Sequence, residues 1–136
     1  MLTAELNQTR LPPSARLKRR DVQMILDEVG RRTKARGTVS FVFVSGAEIR
    51  KINRQYRHQD KVTDVLAFEA PLYEIIICYP QAKRQAVERG HTVSQEVVDL
   101  LIHGVLHVFG YDHERPKDAK IMLPLQKKIY AKVTNR

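Results

Sequence analysis

His103, His107 and His113 are the residues in this chain whose type and spacing most directly imply chemistry. His103 and His107 are four apart, so on a helix they share one face a turn apart. The segment around them, Ser94 to Phe109, is apolar over most of its circumference and must be buried, yet Asp99, His103 and His107 recur along it as a narrow polar stripe. Burying polar groups costs free energy unless they find partners, and a metal ion is a partner that two imidazoles can share. Gly110 can adopt the left-handed conformation that ends a helix, which lets the chain turn and bring His113 back toward the first two histidines. Three protein ligands with a fourth position left for water is the arrangement of a catalytic zinc site, where the water ionises near pH ~7.

A single buried histidine is read more simply as a core side chain bonded to the backbone. Three at this spacing, with a turn glycine between the second and third, point to one metal site, zinc first among the candidates. The offsets match the metzincin protease signature, His-Glu-x-x-His-x-x-Gly-x-x-His, except that Gly104 stands in place of the glutamate. That glutamate is the general base for peptide hydrolysis, so the ligands are present and the peptidase machinery is incomplete.

The elements that must position these residues can be traced along the chain. A short extended segment near Glu5 to Gln8 precedes Pro12, Pro13 and Ser14, and a helical pattern runs from about Arg16 to Thr33. Thr38 to Val44 is β-branched and aromatic, a buried strand. Ser45 and Glu48 form a capping box ahead of a helix of about ten residues that carries Ile49, Ile52 and Tyr56 inward. The polar stretch Arg57 to Thr63 reads as a loop leading to a second strand, Asp64 to Phe68. A third strand, Tyr73 to Tyr79, holds the apolar run Ile75 to Cys78 and should lie centrally in the sheet. Pro80 and Gly90 bound the helix QAKRQAVER, Thr92 or Ser94 caps the metal-bearing helix, and a last helix runs from near Pro116 to about Val133. The pattern predicts a single domain over residues 1–136, α+β or α/β, with a small mixed sheet covered by about five helices. It does not give the strand order.

Lys and Arg total 24 against 15 Asp and Glu, a net charge of +9. Such an excess favours a polyanionic partner, although basic residues also serve solubility alone. The clusters at Arg16 to Arg20, Arg31 to Arg36 and Arg50 to Lys61 make the N-terminal half the more basic. No run approaches the roughly 20 apolar residues of a membrane-spanning helix, and the first 20 residues lack the apolar block of a signal peptide, so no membrane partner and a cytoplasmic location are expected. Cys78, alone in the chain, reads as a small buried hydrophobe.

Beyond these readings, the chain resembles the YbeY-type rRNA maturation factors. The resemblance covers most of the chain and rests on HGVLHVFGYDHE (His103 to Glu114), INRQYRHQDKVTDVLAFE (Ile52 to Glu69) and Met122. It implies a zinc-dependent endoribonuclease specific for single strands, acting in 16S rRNA 3′-end maturation and ribosome quality control. The implied partners are single-stranded RNA or rRNA and the ribosome or its proteins. By position, His103, His107 and His113 resemble the family's zinc ligands, one Zn2+ per chain, and Arg57 the arginine it needs for activity. Physical chemistry alone makes Arg57 an anion-binding candidate, because a guanidinium fork matches phosphate oxygens. Asp64 fits the same motif but reads equally as a strand-start cap. Asp112 and Glu114, beside His113, are candidates for proton transfer or imidazole orientation and equally for surface polars. Two departures stand out: Leu72-Tyr73-Glu74-Ile75 replaces the usual Leu-Gly-Asp-Ile, and Gln126 stands where a glutamate is usual. The competing functions are a metzincin-like metalloprotease and a non-catalytic, zinc-containing ribosome-assembly protein.

Overall fold

The apolar run Ile75 to Cys78 lies in the middle of a sheet with all four side chains buried. The computed structural model describes residues 1–134, and among these the chain forms four strands and five α-helices. The strands are β1 (Leu2–Asn7), β2 (Gly37–Val44), β3 (Val65–Phe68) and β4 (Tyr73–Cys78), in the order β1-β2-β4-β3. The first three in that order are parallel, and β3 joins the edge antiparallel to β4. The helices are α1 (Arg19–Arg32), α2 (Gly46–Arg57), α3 (Tyr79–Arg89), α4 (Val93–Val108) and α5 (Pro116–Thr134). The fold is α+β with one mixed sheet.

Strand alternation divides β4 between two cores. Ile75 and Ile77 face the larger one, with α1, α4 and α5, while Ile76 and Cys78 face a smaller one under Ile49 of α2. Cys78 is fully buried, and burial pushes its thiol pKa up, as expected of a structural cysteine. No helix among the described residues is long and apolar enough to cross a membrane.

Several boundaries differ from the sequence reading. The helix expected from Arg16 begins at Arg19, because Pro13–Ala15 closes a separate 3-10 turn and leaves Arg16 extended. The extended segment expected at Glu5 to Gln8 is the edge strand Leu2–Asn7, paired along its whole length with β2. Arg57 does not open a loop; it is the last residue of α2, and His58 follows in the left-handed conformation, φ 59°. Tyr56 does not point inward with Ile49. It is 59% exposed, because the buried stripe of α2 narrows to Ile49 and Asn53.

Gly104 sets how closely α4 approaches the sheet. A Cβ there would lie 2.9 Å from Cγ2 of Ile75, nearer than carbon atoms pack, so a side chain at position 104 requires the Ile75 side chain or the helix to shift. A glutamate at this position would have to displace Ile75 from its place in the core.

Candidate active site

Helix α4 starts at a full capping box: the Thr92 hydroxyl accepts from Gln95 N–H, and the Gln95 side chain accepts from Thr92 N–H. It delivers His103 and His107 one turn apart with nearly parallel rings, 6° between planes and 6.4 Å between centroids. Its end is a Schellman motif. Gly110 N–H donates to His107 O, Tyr111 N–H donates to Leu106 O, and Gly110 takes φ 101°. Asp112 shapes the following turn, its Oδ1 accepting from the N–H groups of His113 and Glu114. Those bonds, Glu114's first, hold the Asp112 carboxyl below its ordinary pKa. His113 is thereby returned to 4.8 Å from His103 and 6.5 Å from His107, centroid to centroid.

Partners behind the rings fix which nitrogen faces forward. His107 Nδ1 lies 3.1 Å from the carbonyl of Tyr111, which only accepts, so Nδ1 carries the proton. Gln126 Nε2 donates to Asp99 Oδ1 at 3.0 Å, which turns its Oε1 toward His103 Nδ1 at 2.9 Å and makes that nitrogen a donor as well. Both imidazoles therefore keep Nε2 unprotonated for a ligand. Burial pushes His103 below the usual imidazole pKa, the Gln126 bond opposes that shift, and His113 and His107 add to it. Asp99, the third member of the polar stripe, thus acts through Gln126 and not on the cavity that Arg57 shares. Sequence spacing showed the stripe, but not the partner 27 residues away.

Arg57 comes from the other side. The bond from Cys78 N–H to Asp64 O sets the β3–β4 pairing, so Val65 and Ala67 turn their backbone groups toward the open side of edge strand β3. There Asp64 Oδ1 accepts from Val65 N–H at 2.7 Å, and Arg57 Nη2 donates to Ala67 O at 2.8 Å. Asp64 is accordingly a strand-start cap. The Arg57 guanidinium also lies 5.0 Å from the Phe68 ring centroid. A cavity of about 230 Å³ is lined jointly by Arg57, His103, His107, His113 and Glu114. The structure thus brings together the three histidines and the arginine that sequence singled out, and it separates Glu114, on the cavity, from Asp112, committed to the turn.

Nitrogen ligands about 2.1 Å from a tetrahedral ion place imidazole centroids about 5 Å apart. His103 and His113 stand at that distance, and the two pairs involving His107 are wider. Among the described residues no three His, Cys, Asp or Glu groups are closed tightly enough to hold an ion as they stand. The donor set nevertheless fits a zinc-type ion, since two Nε2 atoms are left unprotonated by the bonds behind them.

A histidine triad thus faces an arginine across one small cavity on an α+β scaffold. Residues 4–134 match the family described as Endoribonuclease YbeY. A relative of that name from Sulfurihydrogenibium sp. (strain YO3AOP1) is 45% identical over 106 residues, 71% of this chain and 70% of its own. Another of that name, from Acholeplasma laidlawii (strain PG-8A), is 39% identical over 116 residues, 81% and 85% of the two chains. The solution structure of a Thermotoga maritima protein, 32% identical, matches with a TM-score of 0.70 over 98% of this chain and 89% of that one. The chain belongs to the endoribonuclease YbeY family.

Proposed function

We propose that the whole chain, 1–136, is one domain that cuts single-stranded RNA in a metal-dependent reaction, with zinc held by His103, His107 and His113 and Arg57 acting on the phosphate. Endoribonuclease activity itself comes with the family. The observation that carries the finer reading is the shared cavity of Arg57 and the three histidines. The natural substrates in this reading are rRNA precursors, 16S rRNA 3′ ends among them, met on or near the ribosome in the cytoplasm. The +9 net charge suits such a polyanion.

When bound, the ion supplies Lewis-acid stabilisation of charge on a phosphoryl oxygen. The chain's residues do the rest. Cleavage joins an oxygen, from water or the RNA's own 2′-OH, to phosphorus and breaks the bond to the 5′ oxygen. A proton leaves the nucleophile, and one is delivered to the leaving oxygen. Arg57 spends one guanidinium N–H on Ala67 O and presents its others to the phosphate, where charge grows. Glu114 lines the same cavity, which supports it as the carboxylate that accepts the proton. With Gly104 on the helix, no carboxylate occupies the peptidase position.

The test is cleavage of end-labelled single-stranded RNA beside a duplex of the same sequence and a casein-type protein. The single strand should be cut, the duplex and protein spared, and activity lost on chelation and in His103→Ala. Binding should weaken steeply with salt. Chelation-resistant cleavage, or robust proteolysis, would overturn the reading.

A further inference from the structure

Tyr56 is an aromatic side chain in the wrong place for a core residue. It is 59% exposed, and it meets Phe68 edge to face, with ring centroids 5.6 Å apart and planes at 71°. Phe68 therefore does not lie flat on Tyr56, and the tyrosine keeps ring surface open to solvent. Phe68 in turn carries the Arg57 guanidinium on its ring. Leu72, 69% exposed, stands with Tyr56 and Phe68 around an apolar cleft of about 520 Å³ between α2 and the β3–β4 connection.

This cleft, on the α2 side of the sheet, adjoins the histidine cavity around the edge strand β3. A middle cavity of about 410 Å³ shares Arg57, Ala67 and His107 with the histidine side, and Phe68 and Ala70 with the Tyr56 side. Around that edge, an arginine facing the histidines and an exposed aromatic wall are supplied by two adjacent residues of one helix, Arg57 and Tyr56. That sequence of surfaces matches a nucleotide: anionic phosphate, then a flat base. A free base stacks on an aromatic ring whatever its identity, whereas a paired base in a duplex has no face to offer. Two carboxylates line this cleft, Glu48, paired with Arg10 at 2.7 Å, and Glu74 of β4.

We infer that Tyr56, backed by Phe68 and faced by Leu72, is a stacking subsite for an unpaired nucleobase of the strand whose phosphate lies at Arg57. This rests on the RNA-cleaving reading above. It gives that reading a physical source of single-strand preference, because only an unpaired base can leave its neighbours and enter the cleft.

The experiment pairs Tyr56→Ala and Tyr56→Phe with a single-stranded oligoribonucleotide and a set of copies carrying one abasic position each. Tyr56→Ala should weaken binding and raise KM by roughly 5- to 100-fold, the range of one lost stacked base. Tyr56→Phe should stay near the parent, and Leu72→Ala should lie between. One abasic position near the cut should harm the parent by a similar factor and harm Tyr56→Ala hardly at all, a non-additivity that a merely structural tyrosine would not produce. A parent that cuts RNA while Tyr56→Ala matches it in binding and KM, or abasic effects that add fully to the mutation, would overturn the stacking subsite alone. A parent that neither binds nor cuts RNA would overturn the RNA reading and this subsite with it.

Discussion

The C-terminal ends of α2 and α4 meet at one cavity, and both are closed by a left-handed residue, His58 at φ 59° and Gly110 at φ 101°. They differ in what lies behind them. Helix α4 is buried on most sides, so each polar group it carries must be satisfied: His103 and His107 are held from behind by Gln126 and the Tyr111 carbonyl. Helix α2 buries only Ile49 and Asn53, and its last turn presents Tyr56 and Arg57 to solvent. In the proposed reaction the buried end would supply the fixed ligands and the exposed end the groups that meet the substrate.

The largest effects should follow from damage to the buried end. His103→Ala, His107→Ala and His113→Ala should each lower zinc content of the purified protein and drop RNA cleavage to the level of the chelated parent. Full zinc content in all three would separate the histidines from the metal. Next comes the exposed end. Arg57→Ala should reduce cleavage by roughly 100-fold or more, as for a lost oxyanion donor, with zinc content and Tm unchanged. Arg57→Lys should recover little, because a point charge cannot reproduce the fork. Loss of zinc in Arg57→Ala would erase the distinction between the two helix ends.

Behind the ligands, Gln126→Leu removes the acceptor for His103 Nδ1 and should weaken zinc affinity by roughly 10- to 100-fold while leaving RNA binding to the apo protein intact. Unchanged affinity in a competition titration with a chromogenic chelator would show that the bond does not orient the ring. The smallest effects should separate the two caps. Gly110→Ala forces a Cβ into the left-handed region and should cost about 1–2 kcal/mol of stability, whereas His58→Gly should gain up to about 1 kcal/mol. Thermal unfolding with shifts of the same sign for both would mean that the two turns are not equivalent devices.

The sequence carried the local features well, because each is decided within a few residues. Ser45 and Glu48 form the capping box expected of them, Gly90 and Gly110 end their helices in the left-handed region, and Ile75 to Cys78 sit mid-sheet. What sequence left hidden depends on contacts across the fold. The strand order required the pairing of β4 between β2 and β3. Tyr56 obeys helical spacing but falls where α2 overhangs its small core, so periodicity alone turned it the wrong way. Gln126 was visible only as a departure from a family pattern until α5 packed on α4 and placed it between Asp99 and His103. Gly104 was read as a missing base; the structure adds that its missing side chain leaves room for Ile75.

The outer rim of β3 bears on how copies of this protein behave toward one another. An edge strand with outward-facing amide groups is a template onto which another chain can add a strand, the first step of aggregation. Here Asp64 takes the Val65 N–H and Arg57 takes the Ala67 carbonyl, so two outward groups are already occupied by charged side chains. Arg57 thus guards the rim against strand addition, beside the role in cleavage proposed for it. A concentrated solution of Arg57→Ala should scatter more light than the parent on prolonged storage even with its metal content unchanged, a loss of colloidal stability separate from any loss of turnover.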